Sequence, residues 1–198
     1  STLDMRRASR TTYRPDAMAV LEVPEELNLA AAHEAIAAAV PDRECLVFRD
    51  RRLTWGEVTE RTRRLAGALL DAGVGGTVRR GVEPWESPQD HVALYLHNGN
   101  EYLEAMLGAA KARAAAVNVN YRYVADELRY VLADAGARAV VFHSALAPTL
   151  AEVRDDLPGL ELLLQVPDDS GQELLPGARW YEDALAAAAP VEPRGLHP

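Results

Sequence analysis

The chain has very little cysteine and no long apolar run. Cys45 is the one cysteine among 198 residues, which excludes an intramolecular disulfide and a cysteine-based zinc site. Because Cys45 lies in the apolar run "CLVF", a buried, unreactive thiol is favoured over a reactive one. No apolar stretch approaches the roughly 18–20 residues that cross a bilayer, and the basic N-terminus lacks the apolar segment of a secretory signal. We therefore expect a cytoplasmic protein without a transmembrane segment.

Lysine and recognisable catalytic motifs are also scarce. Lys111 is the only lysine, and the formal net charge of −9 is spread along the chain without basic blocks. Nucleic-acid binding needs a clustered basic surface, so no nucleic-acid partner is expected. The sequence contains no GxGxxG, GxxxxGK[ST] or HExxH motif, which argues against a dinucleotide site, a P-loop and a metalloprotease site. Hydrophobic residues make up 48% of the chain, enough for a packed core.

What the chain does have is a regular alternation of short apolar runs and helical patterns. Four such runs follow one another: "HVALYLH", "AAAVNVN", "RAVVFH" and "LELLLQV". Strands separated by single helices run parallel with right-handed crossovers, and apolar runs without alternation are typical of strands covered on both faces. The sequence therefore predicts an α/β fold with an open, mainly parallel sheet and helices on both faces.

A short hairpin and two helices are predicted before this alternation. An alanine-rich helix spans Glu26 to Val40 and stops at Pro41. The stretch "CLVFRDRRLT" favours two short strands around a turn at Asp50–Arg51. Thr54 and Glu57 have capping-box spacing and begin the next helix, whose buried face we predict to be Val58, Leu65, Ala66, Leu69 and Ala72, with Gly73 as its stop.

The later helices carry their own start and stop signals. Asn98 is predicted to cap one helix and Ser144 another, and Gly136 is a natural stop between them. A last short helix is expected around Asp183–Ala189. Three inward faces are predicted from the spacing: Leu103, Met106, Leu107 and Ala110; Val124, Leu128, Val131, Leu132 and Ala135; and Leu146, Leu150, Val153 and Leu157.

The chain divides into three parts on composition. Residues 1–25 form an irregular segment in which Met18 is a candidate natural start, residues 26–190 form the α/β unit, and residues 191–198 are a proline-punctuated linker. The stretch Gly75–Asp90 breaks every period and is long for a loop in a compact domain. Within it, Trp85 is expected to anchor the loop on the surface, with covering of a groove as the alternative.

The segment "NVNYRY" is the strongest candidate for a functional site. It places Asn118, Asn120, Tyr121 and Arg122 where a strand becomes a loop, the usual position of sites in parallel sheets. The alternative is a turn in which these side chains satisfy local backbone groups. The residues alone leave both interpretations open.

Three histidines flank strand ends, but their spacing matches no metal site. His91, His97 and His143 lie where α/β sheets place ligands, which is also simply where buried structure meets water. We favour a structural role for each. The stretch "LHNGN" opens a helix and so offers backbone N–H groups to an anion, but we favour helix capping by Asn98 as its explanation.

The order of these segments resembles the N-terminal region of adenylate-forming enzymes, specifically fatty-acyl- and steroid-type acyl-CoA synthetases. "LVFRDRRLTWGEV" is similar to that family's hairpin and first long helix, and "HNGNEYLEAMLGAAKARAAAVNVNYRY" and "GVEPWESPQD" are similar to its actinobacterial branch. The resemblance implies a two-step reaction that uses ATP, Mg²⁺ and coenzyme A on a fatty or steroid-derived carboxylic acid. It also implies that this portion supplies part of the wall of an acyl tunnel. Asn118, Asn120, Tyr121 and Arg122 are the candidate wall residues, because they lie at a strand end.

The resemblance covers only part of the family's motifs. The family's phosphate loop follows a segment like "PVEPRGLHP", and the adenine, ribose and Mg²⁺ motifs and the catalytic lysine come later still, so no catalytic residue is carried over. Lys111 is predicted inside a helix and does not match that lysine. We expect an N-terminal portion that is inactive alone, holds no cofactor tightly, and forms a homodimer or higher oligomer through an unpaired sheet edge.

Two other functions remain open at the level of sequence. One is a free-standing, non-catalytic module of the same fold that binds an acyl group or dimerises. The other is a flavodoxin-like nucleotide binder, although the chain lacks a loop suited to phosphate.

Overall fold

The computed structural model describes residues 28–76, 79, 81–83 and 86–193. The predictions made for residues 1–25, for Met18, for Trp85 and for residues 194–198 of the linker lie outside these ranges.

Six α-helices and seven strands are defined in the described part of the chain. The strands are β1 (Glu44–Phe48), β2 (Arg51–Thr54), β3 (His91–Tyr95), β4 (Ala115–Asn118), β5 (Ala137–His143), β6 (Leu162–Val166) and β7 (Arg179–Trp180). The helices are α1 (Leu29–Ala39), α2 (Trp55–Asp71), α3 (Asn100–Lys111), α4 (Ala125–Asp134), α5 (Ala147–Val153) and α6 (Tyr181–Ala187).

Five strands form one parallel sheet in the order β4-β3-β5-β6-β7, and β1 and β2 form a separate antiparallel hairpin. The predicted fold class is confirmed. Strand β7 was missed because only two of its residues pair, Arg179 with Leu164 and Trp180 with Gln165, too few for a pattern in the sequence. The hairpin turn lies one residue earlier than predicted, since Arg51 already belongs to β2.

Helices cover both faces of the sheet, and each strand sends alternate side chains to the two sides. In β3, Val92 and Leu94 pack with α2, α3 and α6, whereas Ala93 and Tyr95 pack with α4 and α5. All four residues are fully buried. Because both sides are apolar, the strand is a continuous hydrophobic run, as expected for a two-sided parallel sheet.

The hairpin packs against α2 and α3 through a small cluster formed by Leu53, Val58 and Leu107. Thr54 caps α2 as predicted: its hydroxyl accepts from the Glu57 N–H at 3.2 Å, and the Glu57 carboxylate accepts from the Thr54 N–H at 2.7 Å.

Cys45 is partly buried beside this cluster, and burial raises the pKa of its thiol. An unreactive Cys45 is therefore consistent with its surroundings.

Two predicted caps are wrong. Gly99, and not Asn98, is the N-cap of α3, so the first turn of this helix has no side-chain cap. Ser144 opens a 3₁₀ turn ahead of α5, and its hydroxyl donates to the Val166 carbonyl at 3.1 Å instead of capping. The Ser144 side chain is engaged by β6, and the Asn98 side chain is exposed to solvent. The spacing of residues along the sequence does not indicate either outcome.

The predicted inward faces are only partly correct. Val124 is 64% exposed because it precedes α4 with extended backbone, while Leu128 and Leu132 are buried as expected. On α3, Leu107 is buried, but the other predicted residues are only half-buried. The α3 residues that are fully covered include Glu104 and Lys111.

Glu104 is the centre of a buried polar network between α2, α3 and α6. Its side chain is fully buried, and its two oxygens accept from Arg61 at 2.8 and 2.9 Å, from Asn100 at 3.1 Å and from the Tyr181 hydroxyl at 2.9 Å. Arg61 also binds Glu182 at 2.7 and 2.9 Å. The carboxylate therefore has four donors, which is what a buried charge needs to be tolerated.

Lys111 ends α3 and is equally buried. Its ammonium lies 2.6 Å from Glu34 of α1, and Glu34 also accepts from Arg63 of α2 at 2.6 Å. Lys111, the only lysine of the chain, thus helps to hold α1 against α2 and α3. None of the helices in the described residues has both the length and the apolar character needed to span a membrane.

Candidate functional site

The strand order creates a crevice between the carboxyl ends of β3 and β5. These two strands are neighbours, and Tyr95 pairs with Phe142 at their ends. The chain leaves β3 toward β4 on one side and leaves β5 toward β6 on the other. Connections that depart in opposite directions leave an open crevice, where ligands bind in open α/β sheets. Residues that follow β3 and β5 are therefore the first to consider.

His97 and His143 lie on the two sides of this crevice. The backbone N–H of His97 donates to Nδ1 of His143 at 3.1 Å, and the ring centroids are 5.4 Å apart. Since Nδ1 accepts, the proton of the neutral His143 ring is on Nε2. Burial lowers the pKa of His143, and the nearby His97 lowers it further, while Asp168 opposes both. At neutral pH the ring is an uncharged acceptor.

Tyr121 extends this aromatic group toward β4. Its ring centroid lies 4.6 Å from that of His97, and the Arg122 guanidinium lies 5.4 Å from the Tyr121 ring centroid. Tyr121 is 41% exposed, which is high for a large aromatic residue. Together His143, His97 and Tyr121 form a row of rings across the carboxyl edge, which we call the ring row.

A tight turn presents Tyr121 to solvent. The Asn120 side-chain oxygen accepts from the Arg122 N–H at 3.0 Å, and the Asn120 carbonyl accepts from the Tyr123 N–H at 3.0 Å. Below it, the Tyr95 hydroxyl donates to the Tyr123 carbonyl at 3.3 Å. Asn120 is therefore a turn-forming residue, as the alternative interpretation of "NVNYRY" required.

Asp168 closes the edge beyond β5. Its carboxylate accepts from the Ala145 N–H at 2.8 Å and from the Ser170 N–H at 2.9 Å. Burial raises its pKa, but the hydrogen bonds from Ser170 and Ala145 together outweigh this and leave the pKa of Asp168 below its ordinary value. It supplies negative charge near His143 at neutral pH.

The four predicted site residues lie together on this edge. Asn118 ends β4 opposite Leu94 of β3, and Asn118, Asn120, Tyr121 and Arg122 are all exposed. A binding role for them stays a prediction. Of the four, Tyr121 has the surface and contacts best suited to an apolar ligand, because Asn120 is engaged in the turn.

Sequence reasoning did not connect His143 and Asp168 with this segment. Both lie at strand ends, and that position was recognised for His143. However, the sequence does not show that β4 and β5 lie on the two sides of β3, which is a property of the strand order. Asp168 also lies 47 positions after Tyr121 in the sequence, so no local signal connects them. His91, the third strand-end histidine, starts β3 at the opposite edge and contacts the Ala135 carbonyl through Nδ1.

A metal centre is not formed by the residues that the structure describes: no three His, Cys, Asp or Glu side chains among them are close enough to share an ion. His33 is buried, and neither of its ring nitrogens has a hydrogen-bond partner within the described ranges. It lies among α1, α2 and α3 beside Trp55, with ring centroids 5.4 Å apart. His33 is thus a packing residue remote from the crevice.

Comparison with known proteins places this geometry in a family. Residues 33–196 match the family described as "AMP-binding enzyme". The chain is 49% identical over 168 residues to the medium-chain acyl-CoA ligase Mig of Mycobacterium avium, which covers 84% of this chain and 30% of the relative. It is 37% identical over 166 residues to a medium/long-chain-fatty-acid–CoA/3-oxocholest-4-en-26-oate–CoA ligase of Mycobacterium tuberculosis, covering 83% of this chain and 28% of the relative.

A solved structure shares the fold. The N-terminal domain of FACL13 from Mycobacterium tuberculosis superposes with a TM-score of 0.67 at 26% sequence identity, covering 87% of this chain and 39% of that one. The chain therefore spans less than a third of the length of the curated relatives named above.

Proposed function

This chain belongs to the AMP-binding enzyme family, and from that premise we propose that it forms the N-terminal part of an acid–CoA ligase acting on fatty or steroid-derived carboxylic acids. The observation that carries the proposal is the 49% identity to a medium-chain acyl-CoA ligase across 84% of the chain. The 37% identity to a fatty-acid and steroid-acid ligase supports the substrate class.

The proposed reaction has two steps. A carboxylate oxygen of the acid attacks the α-phosphorus of ATP and displaces pyrophosphate, which gives an acyl-adenylate. The coenzyme A thiolate then attacks the acyl carbonyl and displaces AMP. Negative charge develops on oxygen in both steps; fixed hydrogen-bond donors would stabilise it, and Mg²⁺, when bound to the complete ligase, would add to this, together by several kcal/mol.

Among the described residues no three His, Cys, Asp or Glu side chains are close enough to share a metal ion, so this part of the chain offers no all-protein cage for Mg²⁺. The sequence also has no GxxxxGK[ST] loop for the ATP phosphates. We therefore propose that ATP, Mg²⁺ and coenzyme A are held mainly by other parts of the complete ligase, and that residues 26–190 act as its N-terminal subdomain. Because ATP and coenzyme A are cytoplasmic substrates, we propose that the complete ligase acts in the cytoplasm.

We propose that the carboxyl edge of the sheet contributes to the wall that contacts the acyl group. Asn118 and the turn from Asn120 to Arg122 are exposed at this edge, and Tyr121 offers apolar ring surface at 41% exposure. The adjacent crevice between β3 and β5 is the position at which open α/β sheets bind ligands. The chain's contribution to the chemistry is thus to position the acid, not to transfer a proton.

A chimeric ligase tests this site. Residues 28–193 of this chain replace the matching region of the Mycobacterium avium ligase, and acyl-CoA formation is measured with acids of increasing chain length. Tyr121→Ala is expected to raise KM about tenfold for preferred acids while changing kcat less, because its ring surface is lost. Asn120→Ala is expected to act in the same direction, because the turn that presents Tyr121 loses its side-chain hydrogen bond. Tyr130→Ala is the control, since Tyr130 is 68% exposed on α4. Unchanged kinetics for both wall variants would contradict the assignment.

The isolated chain is expected to make no adenylate. Pyrophosphate release with ATP, Mg²⁺ and a panel of fatty and steroid acids should stay at background. Pyrophosphate release above background that disappears when the acid is omitted would refute the proposal that other parts of the ligase hold ATP and Mg²⁺.

We also propose that the isolated chain self-associates into a homodimer or higher oligomer. In the described part of the chain β4 pairs only with β3, so its outer backbone groups form an open edge. An unpaired edge is a template for pairing with a second copy. Sedimentation velocity should show a species of at least twice 21.6 kDa, and a clean monomer at high concentration would contradict this.

A further inference from the structure

We propose that His143 is a proton-sensitive positioning residue: its neutral ring holds the turn His97–Gly99 against the carboxyl end of β5, and protonation of that ring releases the turn. The proposal concerns regulation of the site assigned above. Only its consequence for acid binding rests on the proposed function, while the switch itself depends on this chain alone.

The geometry of the hydrogen bond makes it sensitive to one proton. Nδ1 of His143 accepts from the backbone N–H of His97 at 3.1 Å. A backbone N–H is only a donor, and a doubly protonated imidazole has no acceptor left. Protonation at Nδ1 would therefore place two donors against each other at hydrogen-bonding distance. The bond is lost, and one of the two groups must move.

The backbone of His97 is the group that we expect to move. His97 and the two residues after it lie between β3 and α3 in neither helix nor strand, and Asn98 is exposed. His143, in contrast, ends a strand paired on both sides, with Val166 of β6 directly opposite it. The turn is thus the less constrained partner.

Movement of His97 would dismantle the ring row. The same residue whose N–H binds His143 carries the ring that packs on Tyr121 with centroids 4.6 Å apart. If the backbone of His97 shifts by more than about 1 Å, this contact is lost, because ring contacts depend on close approach. The state of one imidazole is therefore coupled to the exposure of Tyr121 at the proposed acyl wall.

The charged and titratable groups around His143 favour the neutral ring at physiological pH. His97 faces it from the β3–α3 turn, Asp168 from the segment after β6, and Tyr121 and Arg122 lie beyond His97 on the β4 side. Burial and His97 lower the pKa of His143, and Asp168 only partly offsets them. Release is thus expected below the ordinary histidine value of about 6.5, with the turn held at pH 7 and above.

Nuclear magnetic resonance on the ¹⁵N-labelled 198-residue chain tests the switch without any substrate. At pH 7.5 a scalar coupling across the hydrogen bond between the His97 amide nitrogen and His143 Nδ1 is expected, and it should vanish as the His143 ring titrates. Hydrogen exchange of the His97 amide, corrected for its intrinsic pH dependence, should rise about tenfold or more over the same range.

The variant His143→Asn separates the switch from simple packing. The Asn side-chain oxygen lies near the place of Nδ1 and accepts a hydrogen bond without titrating, so exchange at His97 should become independent of pH. His33→Leu, remote from the crevice, should leave the transition at His97 unchanged. Absence of the coupling at pH 7.5, or a His97 transition that does not follow the His143 titration, would overturn the proposal. Neither outcome bears on ligase activity, so failure here is distinct from failure of the proposed function.

Discussion

The hydroxyl of Tyr181 donates to the carboxylate of Glu104 at 2.9 Å, across 77 positions of sequence and between two fully buried side chains. Burial and the adjacent charge of Glu104 raise the pKa of Tyr181 well above its ordinary value, so the hydroxyl stays protonated. The contact joins α6 to α3, and Arg61 of α2 completes it. Three helices on one face of the sheet are thus fastened at a single carboxylate.

Loss of the Glu104 charge should destabilise the fold strongly. Glu104→Gln replaces an acceptor of four hydrogen bonds by a neutral amide and leaves Arg61 without its buried partner, so the free energy of unfolding should fall by about 3–5 kcal/mol. Tyr181→Phe should cost about 1–2 kcal/mol. Urea unfolding measures both, and the double variant should cost less than the sum because the two groups share one bond.

An exposed ion pair is the matched control. Glu60 binds Arg64 at 2.7 Å on the surface of α2, and Glu60→Gln should change the free energy of unfolding by less than about 0.5 kcal/mol. If Glu104→Gln and Glu60→Gln lower the free energy of unfolding by the same amount, the buried network stabilises the fold no more than an exposed ion pair.

Gly67 is expected to be indispensable for seating the segment after α6. A Cβ at this position would lie 2.1 Å from the Ala189 carbonyl oxygen, so Gly67→Ala must push the segment away from α2. The bonds from Arg64 to the Ala188 carbonyl and from the Val191 N–H to the Arg63 carbonyl, both 3.1 Å, would be lost with it. We predict a loss of about 1–3 kcal/mol and faster proteolysis within residues 188–193.

Gly159 offers the comparison for that substitution. A Cβ there meets no atom within 4 Å, and Gly159→Ala should leave stability and the protease pattern nearly unchanged. If Gly67→Ala behaves the same way, the segment does not depend on α2.

His33 should make the fold sensitive to acid. Burial, aided by Lys111 and Arg63 and opposed by Glu34, lowers the pKa of His33 to about 4. A pKa that is lower in the folded than in the unfolded state gives full stability above about pH 6.5 and loses it as pH falls toward 4. The total loss of unfolding free energy between these limits is about 3 kcal/mol. In His33→Leu, the drop in unfolding free energy between pH 7 and pH 4.5 should shrink by about 2 kcal/mol.

The same pH series on His143→Asn provides a control. This variant removes only the contribution of His143 and should keep most of the acid sensitivity that comes from His33. If His33→Leu is as acid-sensitive as the unmodified chain, the pKa of His33 does not differ between the folded and unfolded states, and the prediction is wrong.

Arg113 should tolerate glycine better than alanine. Its φ of 61° lies in the left-handed region, where a Cβ is strained. Arg113→Gly and Arg113→Ala both lose the arginine side chain, so their difference isolates the backbone, and glycine should be more stable by about 1 kcal/mol. At Ala133, an exposed position of α4, the order should reverse by a similar amount, because glycine is the poorer helix former. Thermal unfolding of Arg113→Gly, Arg113→Ala, Ala133→Gly and the unmodified chain compares the two positions.

Local chemistry was predictable from the sequence, whereas tertiary demands were not. The capping box of Thr54 and Glu57 and the helix stop at Gly136, whose φ is 56°, follow from neighbours within four residues. The parallel sheet followed from the alternation of apolar runs. Val124 was misjudged because a hydrophobic residue just before a helix can face solvent as easily as the core.

The candidate site shows the same division. The segment from Asn118 to Arg122 was recognised because strand ends in parallel sheets are readable from pattern. The proximity of His97 to His143 depends on β3 and β5 being neighbours, a relation between strands separated by another strand in the chain. Likewise Glu104 looks in the sequence like an ordinary charged residue on a helix, and only its contacts with Arg61 of α2 and Tyr181 of α6 explain why it is buried.

The chimera that carries residues 28–193 of this chain in the Mycobacterium avium ligase tests the central claim most directly. Its rate of acyl-CoA formation from ATP, coenzyme A and a medium-chain acid is the measurement, with the parent ligase assayed beside it. If this chain is the N-terminal part of an acid–CoA ligase, the chimera should retain at least about a tenth of the parent kcat/KM. A chimera that folds, as shown by an unchanged unfolding transition, yet forms no acyl-CoA from any acid tested would contradict the claim.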